Sequence, residues 1–240
     1  MRDPLKPLLE LDGVAAAAKA AQDAVFAVHR LPANLRGGAE TAAEASVRAA
    51  RASAGIDGAN PELPADGAVA DPLLAGALRV AESLEPLLPT WRRAPLQALA
   101  KLHVLAAADV VDDPDALGRP LAGGERLELL AQLVTGATSV PGPVLTAVVH
   151  GELLALRPFG SADGVVARAA ARLSMIATGL DPKALTVPEV AFFRRVPKYV
   201  ELAAGFAAGT ADGVREWLLF CCEAFEVGAR EARSISSAAG

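Results

Sequence analysis

His150-Gly151-Glu152-Leu153-Leu154-Ala155-Leu156-Arg157-Pro158-Phe159-Gly160-Ser161-Ala162-Asp163-Gly164-Val165-Val166-Ala167-Arg168 reads as an amphipathic helix stopped by a proline, a short loop of small residues, and a second helix starting near Gly164. A loop of that kind aims backbone N–H groups and a helix N-terminus at whatever lies above it, which is the physical basis of an anion or phosphate site. From these residues alone, a plain helix–loop–helix turn with Asp163 as its N-cap is the stronger reading.

Outward from this run, apolar residues keep recurring at intervals of three and four, as at Leu145, Val148, Val149, Leu153 and Leu156. No strand pattern is visible, and the chain reads as all-α. Helices are expected near 7–30, 39–56, 73–87, 91–112, 123–136, 142–156, 164–178, 187–208 and 211–232. The breaks fall at Pro32, Gly37-Gly38, the run from Gly55 through Pro64, Pro114, Pro120 with Gly123-Gly124, Pro141 and Pro143, Pro158, and Pro182. The 55–71 stretch is long enough for a linker. Either half alone would be a thin bundle, so one domain over 1–240 is expected, with N-terminal helices at 10–60 and a helical core at 72–232. No period of 20–50 residues repeats, which argues against a solenoid.

With 240 residues, 52% hydrophobic and 21% charged, the chain can bury a core and fold without a partner. A net charge of -5 provides no overall field toward nucleic acid or anionic lipid. Mean hydropathy is +0.33, yet charge interrupts each apolar stretch before the ~18 residues of a spanning helix. Residues 1–7 lack the pattern of a signal peptide, so a cytoplasmic location is expected, with no membrane and no nucleic acid as partner. Cys221 and Cys222 are adjacent, which suits buried thiols better than a structural disulfide, and no Cys/His cluster has metal spacing.

The opening run resembles the signature of Fic (Fido) proteins, His-Pro-Phe-x-(Asp or Glu)-Gly-Asn-Gly-Arg-x-x-Arg, through Pro158, Phe159, Gly164 and Arg168, with His150 on the preceding helix. Ser53-Ala54-Gly55-Ile56-Asp57-Gly58 is similar to the family's inhibitory motif, Ser/Thr-x-x-x-Glu-Gly/Asn, with Asp57 in place of Glu. Tyr199-x-x-Leu202 followed by Trp217-Leu218-Leu219-Phe220 looks like its closing helices. The resemblance spans about residues 10 to 230. It implies an all-helical fold, and for typical members the transfer of AMP from ATP onto a protein hydroxyl.

The departures fall on the chemistry. Where the family has its base histidine this chain has Arg157, and a guanidinium accepts no proton at neutral pH. The acidic residue that holds Mg²⁺ corresponds to Ser161, a poor magnesium ligand. Asn becomes Asp163, a carboxylate that repels phosphate unless it takes over the metal, and the first arginine becomes Val165. Gly160, Ser161, Ala162, Gly164 and Arg168 remain the candidate nucleotide or phosphate contacts. ATP and Mg²⁺ are therefore the implied cofactors of a weakened site. The resemblance also places Ser53, Asp57 and Gly58 as an inhibitory element, with Asp57 facing Arg168. Against that closed pair stands a plainer reading, in which Arg168 and Arg172, one helical turn apart, form a solvated face.

Other polar residues read more simply. His103 and His150 lie on apolar helices, as satisfied core histidines do. Ser161 has no evident base in sequence, and Asp112-Asp113-Pro114-Asp115 reads as a solvent-facing helix end. The family's target-binding flap falls at about 114–124, where Gly118-Arg119-Pro120-Leu121-Ala122-Gly123-Gly124 is too short to register a peptide by strand pairing. Three functions follow in order. The first is a Fic-like protein without the usual transfer, acting through an anion, nucleotide or protein partner. The second is an enzyme moving AMP or another phosphate-containing group with Asp163 at the metal. The third is a structural helical module.

Overall fold

The computed structural model describes residues 3–35, 38–65 and 67–238. Met1 and Arg2 of the N-terminal reading and Gly37 of the second break lie outside the described residues. Eleven α-helices are present among them: α1 (Val14–His29), α2 (Pro32–Leu35), α3 (Ala39–Ile56), α4 (Pro72–Arg93), α5 (Pro95–Ala107), α6 (Gly124–Gln132), α7 (Gly142–Leu156), α8 (Asp163–Ala177), α9 (Pro188–Phe193), α10 (Val196–Ala207) and α11 (Ala211–Ala238). A π-helical turn, Leu133–Ala137, extends α6, and no strand occurs among the described residues.

The helix bounds differ from those expected, and the count exceeds the expected eight or nine, for local reasons. Gly13, at φ 78, separates α1 from a 3₁₀ turn over Lys6–Glu10, where one helix over 7–30 was expected. Pro32 starts α2 instead of merely ending α1, in keeping with proline's fitness for a first turn. The break expected near 87–91 falls at Ala94, which the following proline pushes out of helical space to φ -144. The helix expected over 187–208 divides at Arg195 (φ -135), ahead of Pro197, into α9 and α10. The expectations at 39–56 and 142–156 coincide with α3 and α7.

α7 is apolar on nearly every side, and Pro143 through Gly151 are all buried, so it can only sit in the middle of the molecule. It pairs with α8, and each flank of that hairpin carries a hydrophobic cluster. One cluster joins α7 to α1, α10 and α11 through Val25, Val144, Phe206, Trp217 and Phe220. The other joins α7 and α8 to α3, α4 and α5 through Leu74, Trp91, Leu102, Leu153 and Val166. Gly151 permits the first contact: a Cβ there would come within 2.8 Å of Phe206 and Trp217. Trp217 Nε1 donates to the Ala147 carbonyl at 2.9 Å, satisfying the one polar atom of that ring. No helix among the described residues is long and apolar enough to cross a membrane. Cys221 and Cys222 are free and buried, and burial drives both thiols up, Cys222 to about 12, which keeps them protonated and inert.

Candidate functional site

α7 ends on Arg157, a C-cap in left-handed geometry (φ 44) whose side chain is exposed. The loop then turns through Gly160 (φ 74) and Ala162 (φ 48). Ala162 occupies the signature's first glycine position and keeps the backbone that glycine favours. Phe159 is buried and stacks on His103, the rings 4.2 Å apart and 6° from parallel.

His103 reaches Ser161 Oγ at 3.0 Å through Nε2, so Ser161 has a histidine neighbour that its sequence context did not reveal. That neighbour is not a base. Nδ1 accepts the Gly118 N–H at 2.9 Å, which puts the proton of the neutral ring on Nε2 and makes it a donor to Ser161. Burial lowers the His103 pKa, which favours this neutral form. Leu121 N–H donates to the Pro158 carbonyl at 2.7 Å, so the short Gly118–Gly124 segment is tied to the motif loop. The acidic cluster is exposed as expected, but it lies beyond the end of α5 and surrounds a 3₁₀ turn, Pro114–Ala116, with Asp113 accepting from Asp115 N–H.

Asp163 is the first residue of α8, not its N-cap, which is Ala162. Its Oδ1 accepts the Phe159 N–H at 2.9 Å, so part of the loop's amide surface already meets this chain's own carboxylate. Its Oδ2 is buried, with no hydrogen-bond donor among the described residues. Burial raises the Asp163 pKa and the Asp57 charge adds to this, against the pull of the Phe159 and Gly160 amides and Arg157. A raised carboxyl pKa means that the native state holds this proton more tightly than the unfolded chain. Its contribution to stability therefore falls as pH rises from the ordinary carboxyl value through the raised one. Asp163→Asn keeps the acceptor and removes the charge, so it should stabilise the protein at pH 7, and the gain should shrink toward about pH 4. Urea unfolding at both pH values checks this, and a gain independent of pH would refute the assignment.

Arg168 lies on α8 with 2% of its surface exposed. Its Nε donates to Ser53 Oγ (2.8 Å), and its Nη2 to the Ser53 carbonyl (2.9 Å) and to Asp57 Oδ2 (2.7 Å). Its Nη1 donates to Tyr199 Oη at 3.2 Å, and that hydroxyl lies 2.8 Å from His150 Nε2. Since Tyr199 accepts from the guanidinium, its own proton goes to His150 Nε2, which leaves the imidazole proton on Nδ1. Burial first, and the Arg168 charge second, hold the His150 pKa well below its usual value. The core reading of His150 therefore stands, with an added task as the end of this chain of donors.

The end of α3 places Asp57. Ala59 N–H bonds the Ala54 carbonyl and Gly58 N–H bonds the Gly55 carbonyl, with Gly58 at φ 96, a Schellman turn that leaves Asp57 as the helix cap. Gly164 makes room opposite, since a Cβ there would lie within 2.6 Å of both Asp57 carboxylate oxygens. Ser53, Asp57, Gly58, Gly164 and Arg168 are thus brought to one contact between α3 and α8. The space beside it, bounded by Ser53, Val165 and Arg172, measures about 20 Å³, enough for a water and far short of a nucleotide.

The solvated-face reading of Arg168 and Arg172 is overturned, because both are buried. Arg172 Nη1 donates to the Thr186 carbonyl (2.9 Å) and to Glu189 Oε2 (3.1 Å), and Nη2 to the Ala184 carbonyl (3.2 Å). Nor do Arg157 and Arg168 present an open cationic pair: Arg157 is at the surface, and Nε, Nη1 and Nη2 of Arg168 all donate within the protein. Tyr199 entered the sequence reading only as part of a helix pattern. It is the sole tyrosine of the chain, and a buried phenol needs a partner, which was the available signal.

In this arrangement the residues do not fit a magnesium nucleotide. Ser161 bonds a histidine, Asp163 bonds the loop and Arg168 is occupied.

Together these elements define an all-helical protein whose central hairpin carries a motif loop, closed from one side by an N-terminal helix. Among solved structures, the chain is similar to the crystal structure of a Fic family protein from Desulfovibrio desulfuricans G20, at 20% sequence identity and a TM-score of 0.73, over 93% of this chain and 74% of that one. The protein has the Fic fold. No family model and no curated protein matches its sequence.

Proposed function

We propose that this protein keeps the Fic scaffold without the AMP transfer of typical members, and acts as a binding or regulatory protein held closed by Asp57 on Arg168. The observation that carries this reading is Arg157, exposed at the end of α7, in the position where the signature has its proton acceptor. Guanidinium cannot take a proton from an attacking hydroxyl at neutral pH. The imidazole that reaches the loop, His103, is turned to donate. The bond from Phe159 N–H to Asp163 supports the same reading, because it uses a loop amide that a phosphate would need.

Incubation with labelled ATP and Mg²⁺ should leave both the protein and a cell lysate unlabelled. Arg157→His alone should not restore transfer, because Ser161 and Val165 remain. Robust labelling by the natural sequence that Arg157→Ala abolishes would overturn the proposal in favour of an active transferase. Calorimetric titration with ATP, with and without Mg²⁺, then tests whether a nucleotide is held without reacting; a metal-dependent gain in affinity would argue against the loss of the metal site.

A further inference from the structure

Between the N-terminal segment, α6 with its π-helical turn, and α7 lies a cavity of about 490 Å³. Pro4 and Leu5 line one side, Leu130, Leu133 and Ala137 a second, and Val148 of α7 a third. Its outer end carries Arg126 and Glu152, which pair at 2.7 Å. None of these residues belongs to the motif loop or to the contacts of Arg168.

Two features shape the walls of the cavity. Asp3 fastens the N-terminal segment to the residues after the π turn: Oδ1 accepts Leu5 N–H and Thr138 Oγ1, and Oδ2 accepts Ser139 N–H and Oγ. Led by the Ser139 amide, these bonds bring the Asp3 pKa down to about 2, so the fastening stays charged across the physiological range. The wall itself departs from α-helical geometry, with Leu133–Ala137 wound as a π turn that is kinked within by Gly136 (φ 116). Such turns widen a helix and are frequent at binding sites.

We infer that this cavity is a binding site for a neutral, largely apolar small molecule that carries one hydrogen-bond donor, such as an alcohol, a phenol or a secondary amine. The volume lies in the range of small-molecule sites, and the lining is leucine, valine, alanine and proline apart from Gln132 and the ion pair. Arg126 and Glu152 neutralise each other, so the walls offer no counter-charge. An ionic ligand would lose its hydration without compensation. Glu152 takes both Arg126 bonds on Oε2, which leaves Oε1 to accept from a ligand's donor.

The test titrates the full-length protein with N-phenyl-1-naphthylamine, a neutral fluorophore with a single N–H. A saturable, blue-shifted rise in emission is expected. Ala137→Phe, which fills the cavity from a partly exposed position, should weaken binding by about tenfold or more, the size of an overpacking penalty, with the helical circular dichroism unchanged. Leu129→Lys, which puts a charge on the lining from an exposed position, should weaken it as well and serves if the first variant does not fold. Decanol should displace the probe, and decanoate, with the same chain and a charge, should not. Absence of a saturable rise, undiminished binding in a folded lining variant, or equal displacement by decanoate would each overturn the inference.

Discussion

Asp57→Ala should lower the unfolding free energy by about 3 kcal/mol and at the same time strengthen the binding of phosphate compounds. Arg168 is buried and Asp57 retains 26% of its side-chain exposure, so removing the carboxylate strands a guanidinium in the interior. Breaking a buried pair costs about 3–5 kcal/mol, and the partial exposure of Asp57 places this pair toward the low end. Ser53 and Tyr199 would still accept from Arg168 but cannot neutralise it. A double-mutant cycle with Arg168→Ala isolates the pair, with an expected coupling of about 1–3 kcal/mol. Gly164→Ala reaches the same contact without removing either charge, since its methyl group would drive the carboxylate off, and it should reproduce much of the loss. Coupling indistinguishable from zero would reduce the α3 motif to an ordinary helix end.

Glu189→Ala should be more damaging still. Arg172 and Glu189 keep only 8% and 3% of their side-chain surface, and the remaining partners of Arg172 are carbonyls, which bond the guanidinium without carrying a charge. The expected loss is about 3–5 kcal/mol by urea unfolding. Replacing both residues with methionine should recover most of it, because well-packed apolar side chains dispense with the desolvation that the ion pair requires. If the single variant is as stable as the parent, the pair is better solvated than the structure shows.

The central hairpin was legible because its signals are local. The apolar run of α7, the stop at Pro158 and the glycine at 164 lie within one short stretch, and the motif Ser53-x-x-x-Asp57-Gly58 ends a helix whose bounds the periodicity already marked. The pairing of Asp57 with Arg168, posed from sequence against a solvated face, is present at 2.7 Å. What escaped the sequence joins distant parts of the chain. Glu189 meets Arg172 through a turn whose path depends on Asp181 accepting from Leu185 N–H, Thr186 N–H and Thr186 Oγ1. The tautomer of His103 is set by a single amide, Gly118 N–H, fifteen residues away. Neither relation leaves a periodic trace. Helix ends went astray where one residue's dihedral angles decide the outcome, as at Gly13, Ala94 and Arg195.

The composition of the α3 face has a consequence for motion. This helix docks through Ala45, Ala49, Ala50, Ala52, Ser53 and Ala54, whose methyl groups bury far less apolar surface than the leucines and valines that anchor α7 and α8. Local opening is cheapest where the least apolar area must be exposed, so the closed site gives way by departure of the helix that carries Asp57, while the motif loop stays in place. Native-state hydrogen exchange should then show the amides of 45–56 exchanging ahead of those of 145–153 and 165–176, and the reverse order would place the moving part in the central hairpin. On this account the protein resembles a latch with a fixed strike plate: a binding partner that drew α3 away would take Ser53 and Asp57 off Arg168 and uncover one edge of the cluster shared with α4 and α5, while α7, α8 and the cluster on their other flank stay packed.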